Sequence, residues 1–553
     1  MTELSTVTRA DGVVLPPPEV AARYRAEGWW DDTLLPDLVL RAAAGHPDAV
    51  ALVDAASRLT YAELAAAVDG LTARLATAGL ARGDRVLVRL PNSVEFVITM
   101  LALMRLEARP ILAAPALRDR EIGHVLRLAR PTAMVVNAPL GARQSVELAE
   151  RMRAEHPALT RILVLGDAPT PAPDIDLTAL IRAARTDPPT PGDHRPAPLD
   201  RPDDVAFYLL SSGTTGLPKP IPRTHQDYGC ALRANNEVCA VTPQTVFLAA
   251  LTAAHTFTLG CPGVLGVLAG GGTVVLTNPE PENVAELLAR HRVTMTASVP
   301  ALAVQIAEAV RAGGHDTSAL RVVQVGGARL APRQGYEVVD TLGCRLQQAY
   351  GMSEGMQNYT RLDDPLDIVA STQGRPVAAA DEWRVVDDDG ADVPPGASGE
   401  LLTRGPHVIG GYLAGDAVNE RAFTADGFFR TGDVVHLDPS GNFVVEGRRQ
   451  DFVNVAGEKV SAQELEELLL EHPKVARCAV VPAPHPNVGE APCAFVVPAG
   501  ADAPTLRELR VHLDRAGIAR YKLPTRLELL EELPMTTLGK LDRGTLRTRV
   551  AEA

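Results

Sequence analysis

The chain has 553 residues, with 68 acidic against 54 basic side chains, a formal charge of −14 and an apolar content of 46%. The acidic surplus argues against a nucleic-acid partner, because phosphate backbones are held by surplus Lys and Arg, and a chain of this length buries a sizeable core without staples. Its six cysteines stand far apart with no C-x-x-C pair, which excludes a disulfide scaffold and points to a reducing, cytoplasmic setting.

The first residues, MTELSTVTRADG, carry Glu3 and Asp11 and no apolar stretch, so no secretory signal is expected. Further on, RVLVRL (85–90) predicts a strand and SVEFVITMLALMRLE (93–107) a helix, followed by the strand ARPILAAPA, the helix REIGHVLRLARP and the strand TAMVVNAP. This rhythm predicts an α/β fold with largely parallel strands. Between Gly166 and Asp204 the chain turns rich in Pro, Asp and Ala, which predicts a surface excursion with no more than a short helix. VAFYLL (205–210) opens a further cycle that runs to about Leu346. Within it, Val238–Pro279 contains no titratable side chain except His255, Cys239 and Cys261, long enough to invite a membrane-spanning reading. Pro262 and Gly270-Gly271-Gly272 interrupt it, so buried helix plus strand is expected and no membrane association. After Gly374, short strands separated by Gly, Pro and Asp turns predict an antiparallel β subdomain. The remainder reads as a small α+β unit, with the helices SAQELEELLLEHP and TLRELRVHLDRAG around the strands VARCAVVPAP and APCAFVVPA. The expected division falls in the charged stretch GRRQD, giving a large domain over 1–450 and a small one over 451–553.

Ser211-Ser212-Gly213-Thr214-Thr215-Gly216-Leu217-Pro218-Lys219 follows directly on VAFYLL. Glycines let backbone N–H groups turn towards an anion, hydroxyls add donors and Lys219 adds charge, so the loop could cradle a triphosphate. It is not the Walker pattern, and a polar hairpin turn is the plain alternative. Glu354, in QQAYGMSEG, sits among small residues after an apolar strand, where a carboxylate could meet a magnesium ion or simply be solvated. Asp433 in FFRTGD could pair with ribose hydroxyls and Arg448 in GRRQD could bridge phosphate oxygens, although both types are common in turns and surface ion pairs. Lys540, in LPMTTLGK, taken alone reads as an exposed lysine.

In order along the chain, SSGTTGLPK, QAYGMSEG, GELLTRGP, FFRTGD, GRRQDFVNVAGEKVSAQELE and LPMTTLGK resemble the adenylate-forming superfamily of acyl-CoA ligases, peptide-synthetase adenylation domains and luciferases. YRAEGWWDDTLL, KPIPRTHQDY and GMSEGMQNYTRLDDP narrow the resemblance to stand-alone aryl-acid–AMP ligases of the salicylate and 2,3-dihydroxybenzoate type, which serve siderophore or antibiotic assembly. The resemblance implies a large N-terminal domain and a mobile C-terminal domain hinged at Asp451. It implies that Ser211 to Lys219 embrace the phosphates of ATP, that Glu354 holds Mg2+, and that Asp433 and Arg448 serve the ribose and phosphate. Gly326, Gly327, Ala328, Tyr350 and Gly351 would line the adenine and aryl sites. Lys540 would reach the substrate carboxylate and the α-phosphate. In a second step the acyl group would pass to the phosphopantetheine thiol of an aryl carrier protein, with Gly457 near the thiol tunnel.

For the aryl pocket, the resemblance places His255 beside the substrate carboxylate, followed by Thr256 and Phe257. Where dihydroxybenzoate ligases have Asn and Ser, this chain has Thr256 and Cys261, and a thiol is a weak hydrogen-bonding partner. Ala349 and Gln357 replace small branched residues; Ala349 makes space, and Gln357 brings a donor and an acceptor that need partners if buried. The expected substrate is an aromatic acid with an extra polar substituent or ring atom, such as an amino-hydroxybenzoate (hydroxyanthranilate-like) or a hydroxylated heteroaryl acid, with salicylate retained. A benzoate-type acyl-CoA ligase and a non-catalytic adenylate-binding protein are the competing expectations.

Overall fold

The computed structural model describes residues 7–8, 13–139, 143–167, 174–187, 202–211, 217–449, 452–455, 458–485, 489–516, 518, 520–536 and 540–551. The chain divides into two compact units, one formed by Met1–Gly213, Leu217–Glu382 and Thr403–Phe429, the other by Thr214–Gly216, Trp383–Leu402 and Arg430–Ala553.

The first unit holds two large sheets. The seven-stranded sheet places Arg85–Arg89 and Arg109–Leu112 at its centre and ends in the antiparallel hairpin Val205–Leu210 and Pro220–Thr224. In the nine-stranded sheet, Val50–Val53, Thr273–Leu276, Val246–Ala249, Met295–Ser298, Val322–Gly326 and Arg345–Met352 run parallel, with antiparallel strands at both edges. Strands such as Val246–Ala249 and Val50–Val53 are continuous apolar runs, as expected when helices cover both faces. One core gathers Leu71, Val97, Phe207, Phe247 and Leu265, and a second packs Leu288, Ile306 and Val338 against the nine-stranded sheet.

Local signals set most boundaries here. Ser93 caps the helix Val94–Arg105 by accepting from the Phe96 N–H, and Thr60 with Glu63 forms a capping box for Tyr61–Thr77. The excursion after Gly166 contains the ten-residue helix Leu177–Thr186, whose buried Leu177, Ile181 and Ala184 give it an apolar face. Val238–Pro279 folds as the strands Val246–Ala249 and Thr273–Leu276 with the short helices Thr256–Gly260 and Gly263–Ala269, and no helix among the described residues is long and apolar enough to cross a membrane.

The second unit contains most of the expected β subdomain, a four-stranded sheet ordered Glu382–Val386, Gly399–Arg404, Phe429–Leu437, Phe443–Arg448. It also contains a five-stranded sheet with the helices Ala462–Leu470 and Leu506–Arg515, whose Leu465, Leu469, Leu509 and Leu513 are buried together. Most of the β subdomain thus groups with the C-terminal segment, whereas the sequence reading divides the chain at Asp451, which lies outside the described residues.

Candidate functional site

In the first unit the candidate residues collect at the carboxyl ends of the parallel strands of the nine-stranded sheet, where open α/β sheets bind ligands. His255 follows the strand Val246–Ala249, Gly326 ends the strand Val322–Gly326, and Ala349 and Tyr350 lie near the end of Arg345–Met352. Gly327 turns the chain away from its strand with φ of +80°, a conformation that favours glycine. At Gly326 an added Cβ would lie 3.0 Å from Phe257 Cζ and 3.2 Å from Ala349 Cβ, so the absence of a side chain lets the Phe257 ring approach the sheet.

Exposure grades inward across this recess. Gly327, Ala328 and Gly351 are exposed, His255, Phe257, Ala349, Tyr350 and Glu354 are half-buried, and Thr256, Cys261 and Gln357 are buried. His255 caps the short helix Thr256–Gly260, its Nδ1 accepting from the Phe257 N–H at 3.4 Å. The Thr256 hydroxyl meets the Tyr228 hydroxyl at 3.3 Å. Burial pushes the Cys261 thiol up to about 12, and its hydrogen-bonding neighbours are Thr256 and Tyr359, so it is neither a thiolate nor a strong partner for a ligand. Gln357 is 2% exposed, and its Oε1 accepts from Nδ2 of the fully buried Asn235 at 2.5 Å.

Beside this recess lies the anionic and cationic machinery. The neck of the Ser211–Lys219 loop is closed by two reciprocal bonds of 3.0 Å, Ser211 N–H to the Lys219 carbonyl and Lys219 N–H to Ser211 Oγ. Ser212, Gly213, Thr214, Thr215 and Gly216 lie outside the described residues. Lys219 Nζ sits 4.9 Å from the centre of the Tyr412 ring, and the Tyr412 hydroxyl donates to Glu354 Oε1 at 2.7 Å. The Glu354 carbonyl accepts from Ile409 N–H at 2.8 Å. Behind them Arg223, with 0% side-chain exposure, binds Asp227 Oδ1 through Nε at 2.9 Å, the Ser353 carbonyl through Nη1 at 2.8 Å and the His407 carbonyl through Nη2 at 2.9 Å. The Glu354 loop and the segment after Gly405 are thereby tied to one guanidinium.

This donor set suits a magnesium ion that arrives with phosphates. Among the described residues no three His, Cys, Asp or Glu side chains gather to hold a metal by themselves. Mg2+ in nucleotide sites is bound by one or two carboxylates, substrate phosphates and water, and Glu354, linked to Lys219 through the Tyr412 side chain, would supply one such carboxylate.

In the second unit, Asp433 and Arg448 are register partners on adjacent strands, and Arg448 Nε bonds Asp433 Oδ1 at 2.6 Å with Asp433 buried. Lys540 closes a loop with the same neck chemistry as Lys219: Thr536 N–H donates to its carbonyl at 2.6 Å, and its own N–H donates to Thr536 Oγ1 at 3.1 Å. Gly457 lies outside the described residues. Three participants escape the sequence reading. Arg223 stands within KPIPRTHQDY and Tyr412 follows GELLTRGP, so a nearby motif could have flagged them, whereas nothing local distinguishes Asn235.

Residues 39–413 match the AMP-binding enzyme family, and residues 464–540 match the AMP-binding enzyme C-terminal domain. A salicylyl-CoA synthase / salicylate adenylyltransferase of a Streptomyces species is 46% identical, covering 97% of each chain. The 2,3-dihydroxybenzoate-AMP ligase of Bacillus subtilis is 42% identical, again over 97% of each. Among solved structures, apo MbtA of Mycobacterium smegmatis superposes with a TM-score of 0.73 at 41% identity, covering 97% of this chain and 98% of that one. The anthranilate CoA ligase AuaEII in complex with anthranoyl-AMP gives a TM-score of 0.84 at 25% identity, covering 94% and 98%. With the two matched domains in order and near-complete relatives at this identity, the chain belongs to the AMP-binding, adenylate-forming enzymes, which use ATP with Mg2+.

Proposed function

We propose that this enzyme activates an aromatic carboxylic acid with ATP, releasing pyrophosphate and forming an aryl-AMP, and then passes the acyl group to the phosphopantetheine thiol of an aryl carrier protein in siderophore or antibiotic assembly. The observation that carries this reading is the Lys219–Tyr412–Glu354 arrangement, set beside a recess whose half-buried wall is Phe257 and Ala349. A carboxylate oxygen must attack a phosphate, one anion approaching another, so fixed positive charge is the main stabiliser. Lys219 and the loop it closes hold the β- and γ-phosphates. Glu354 holds the magnesium ion, which when bound neutralises phosphate charge. Asp433 and Arg448 bind the ribose and phosphate, Tyr350 with Gly326, Gly327, Ala328 and Gly351 flank adenine, and His255 lies at the substrate carboxylate. Lys540 neutralises the charge at the α-phosphate as the carboxylate attacks, then withdraws with its domain about Asp451, so that Gly457 and its neighbours face the thiol. The reaction takes place in a reducing cytoplasm, consistent with six unpaired cysteines.

Coenzyme A is the second acceptor to test, since one relative at 46% identity is named a salicylyl-CoA synthase. ATP–pyrophosphate exchange against a panel of aryl and heteroaryl acids tests the first step, with strong exchange expected for an acid bearing an extra polar substituent. No exchange with any aryl acid would overturn the reading. Thioester formation on a holo aryl carrier protein against coenzyme A then decides the acceptor.

A further inference from the structure

Two buried amides meet behind the recess, and their orientation is fixed. Asn235, on the helix His225–Val238, shares the two hydrogens of Nδ2 among three acceptors, the Ala231 carbonyl at 2.7 Å, the Gly260 carbonyl at 3.2 Å and Gln357 Oε1 at 2.5 Å. Turning the Asn235 amide over would press its oxygen against two carbonyl oxygens, so Nδ2 must face them. Gln357 must in turn direct Oε1 to Asn235 and Nε2 elsewhere. Gln357 Nε2 is buried and meets no hydrogen-bond acceptor among the described residues. An unpaired buried donor costs about 1–3 kcal/mol, a cost that an apolar side chain at this position would avoid.

The sheet places that donor on the substrate side. Ala349 is paired with Tyr359 and Gly351 with Gln357 across the antiparallel strands Arg345–Met352 and Gly355–Tyr359, so these four residues share one face. It is the face that Phe257 approaches at Gly326. Along it exposure falls from Gly351 at the opening, through Ala349 and Phe257, to Gln357 and Cys261. Gln357 is the register partner of the exposed Gly351, and its Cγ would lie 3.2 Å from a Cβ at that glycine, so the amide leaves the sheet beside the recess.

We propose that Gln357, braced by Asn235, is a specificity-determining residue that donates an N–H to the substrate, and that the activated acid therefore carries a hydrogen-bond acceptor on its ring: a pyridine-type nitrogen, or a carbonyl or ether oxygen. This rests on the adenylation reading above and sharpens its substrate class. A bare hydrocarbon edge leaves the amide unpaired, and an edge carrying only N–H groups presents donor to donor. Sites built to hydrogen-bond a substrate reject the analogue that lacks the group, because the buried partner stays unpaired.

The test compares salicylate with its aza-analogues, in which each ring C–H is replaced in turn by nitrogen, by kcat/KM in ATP–pyrophosphate exchange and by calorimetric binding of the acids without ATP. The wild type is expected to prefer one aza position by about 10- to 100-fold. Gln357→Leu, which keeps the volume and leaves Asn235 with two carbonyl acceptors, should reduce that preference to under about threefold. Asn235→Ser, which releases the Gln357 amide to rotate, should weaken the preference partially. No positional preference in the wild type, or a preference unchanged in Gln357→Leu, would overturn the proposal and leave a buried water as the partner of Nε2. Selective binding without exchange would sink the adenylation reading alone, exchange without selectivity would sink the donor alone, and neither binding nor exchange would sink both.

Discussion

The Tyr412 hydroxyl donates to Glu354 Oε1 at 2.7 Å while the face of its ring lies 4.9 Å from Lys219 Nζ. One side chain therefore touches both the residue proposed to hold the metal and the lysine that closes the loop proposed to hold the phosphates. The ring is itself held edge-on by Phe423 and Phe429, so its position does not depend on the hydroxyl.

Tyr412→Phe should keep the fold and the contact with Lys219 but release Glu354. A hydrogen bond to a charged group contributes about 1.5–3 kcal/mol, so the Mg2+ concentration for half-maximal exchange and the KM for ATP should rise roughly tenfold or more. Combined with Glu354→Gln, the effects should be far from additive, because the hydroxyl acts through that carboxylate. Additive losses, measured by exchange and by Mg2+-dependent ATP binding in a calorimeter, would show that Tyr412 acts elsewhere.

Lys540→Ala should lower the rate of adenylate formation on the order of 10² to 10³, yet spare thiolation of a preformed aryl-adenylate. Single-turnover assays of the two half-reactions separate the steps. Equal loss in both would contradict a lysine that serves one of two conformations.

Arg223→Met removes a buried cation and strands the Asp227 carboxylate together with the Ser353 and His407 carbonyls. Breaking one side of a buried pair costs about 3–5 kcal/mol, so the urea midpoint should fall sharply. Adding Asp227→Asn removes the unpaired charge and should recover part of the loss; no recovery would mean that the two carbonyl contacts, and not the ion pair, dominate.

His225 is held neutral by burial, which pulls its ring down to about 4, and its Nδ1 accepts from Leu35 N–H at 3.2 Å where the helix Leu35–Gly45 begins. The folded value lies below the ordinary one of about 6.5. The stability this neutral ring contributes is therefore complete above pH 6.5 and lost as pH falls towards 4, by up to about 3 kcal/mol. His225→Asn offers Oδ1 as a non-titrating acceptor to the same N–H and should flatten the fall in unfolding midpoint between pH 6.5 and 4. An unchanged slope would place the acid sensitivity in other groups, the buried His407 first among them.

Much of this protein is legible in its sequence. Apolar runs of strand length, helix caps such as Ser93 and the loop leaving Val205–Leu210 are local signals, carried by residues a few positions apart. The ordered motifs likewise announce the family, since each needs only its own few residues. What returns from afar is not written locally. Asn235 and Gln357 meet across 122 positions, Arg223 reaches Ser353 across 130 and His407 across 184, and Tyr412 reaches Glu354 across 58. Gln357 read alone offers a donor and an acceptor equally; only the carbonyls of Ala231 and Gly260, by fixing Asn235, leave it the donor. The grouping of Trp383–Leu402 with the C-terminal segment is equally invisible locally, because it depends on which sheet those strands join. Periodicity and turn chemistry act over a few residues and so can be read from the chain, whereas the partner of a buried polar group is set by where the chain comes back, which is decided only when the whole core packs.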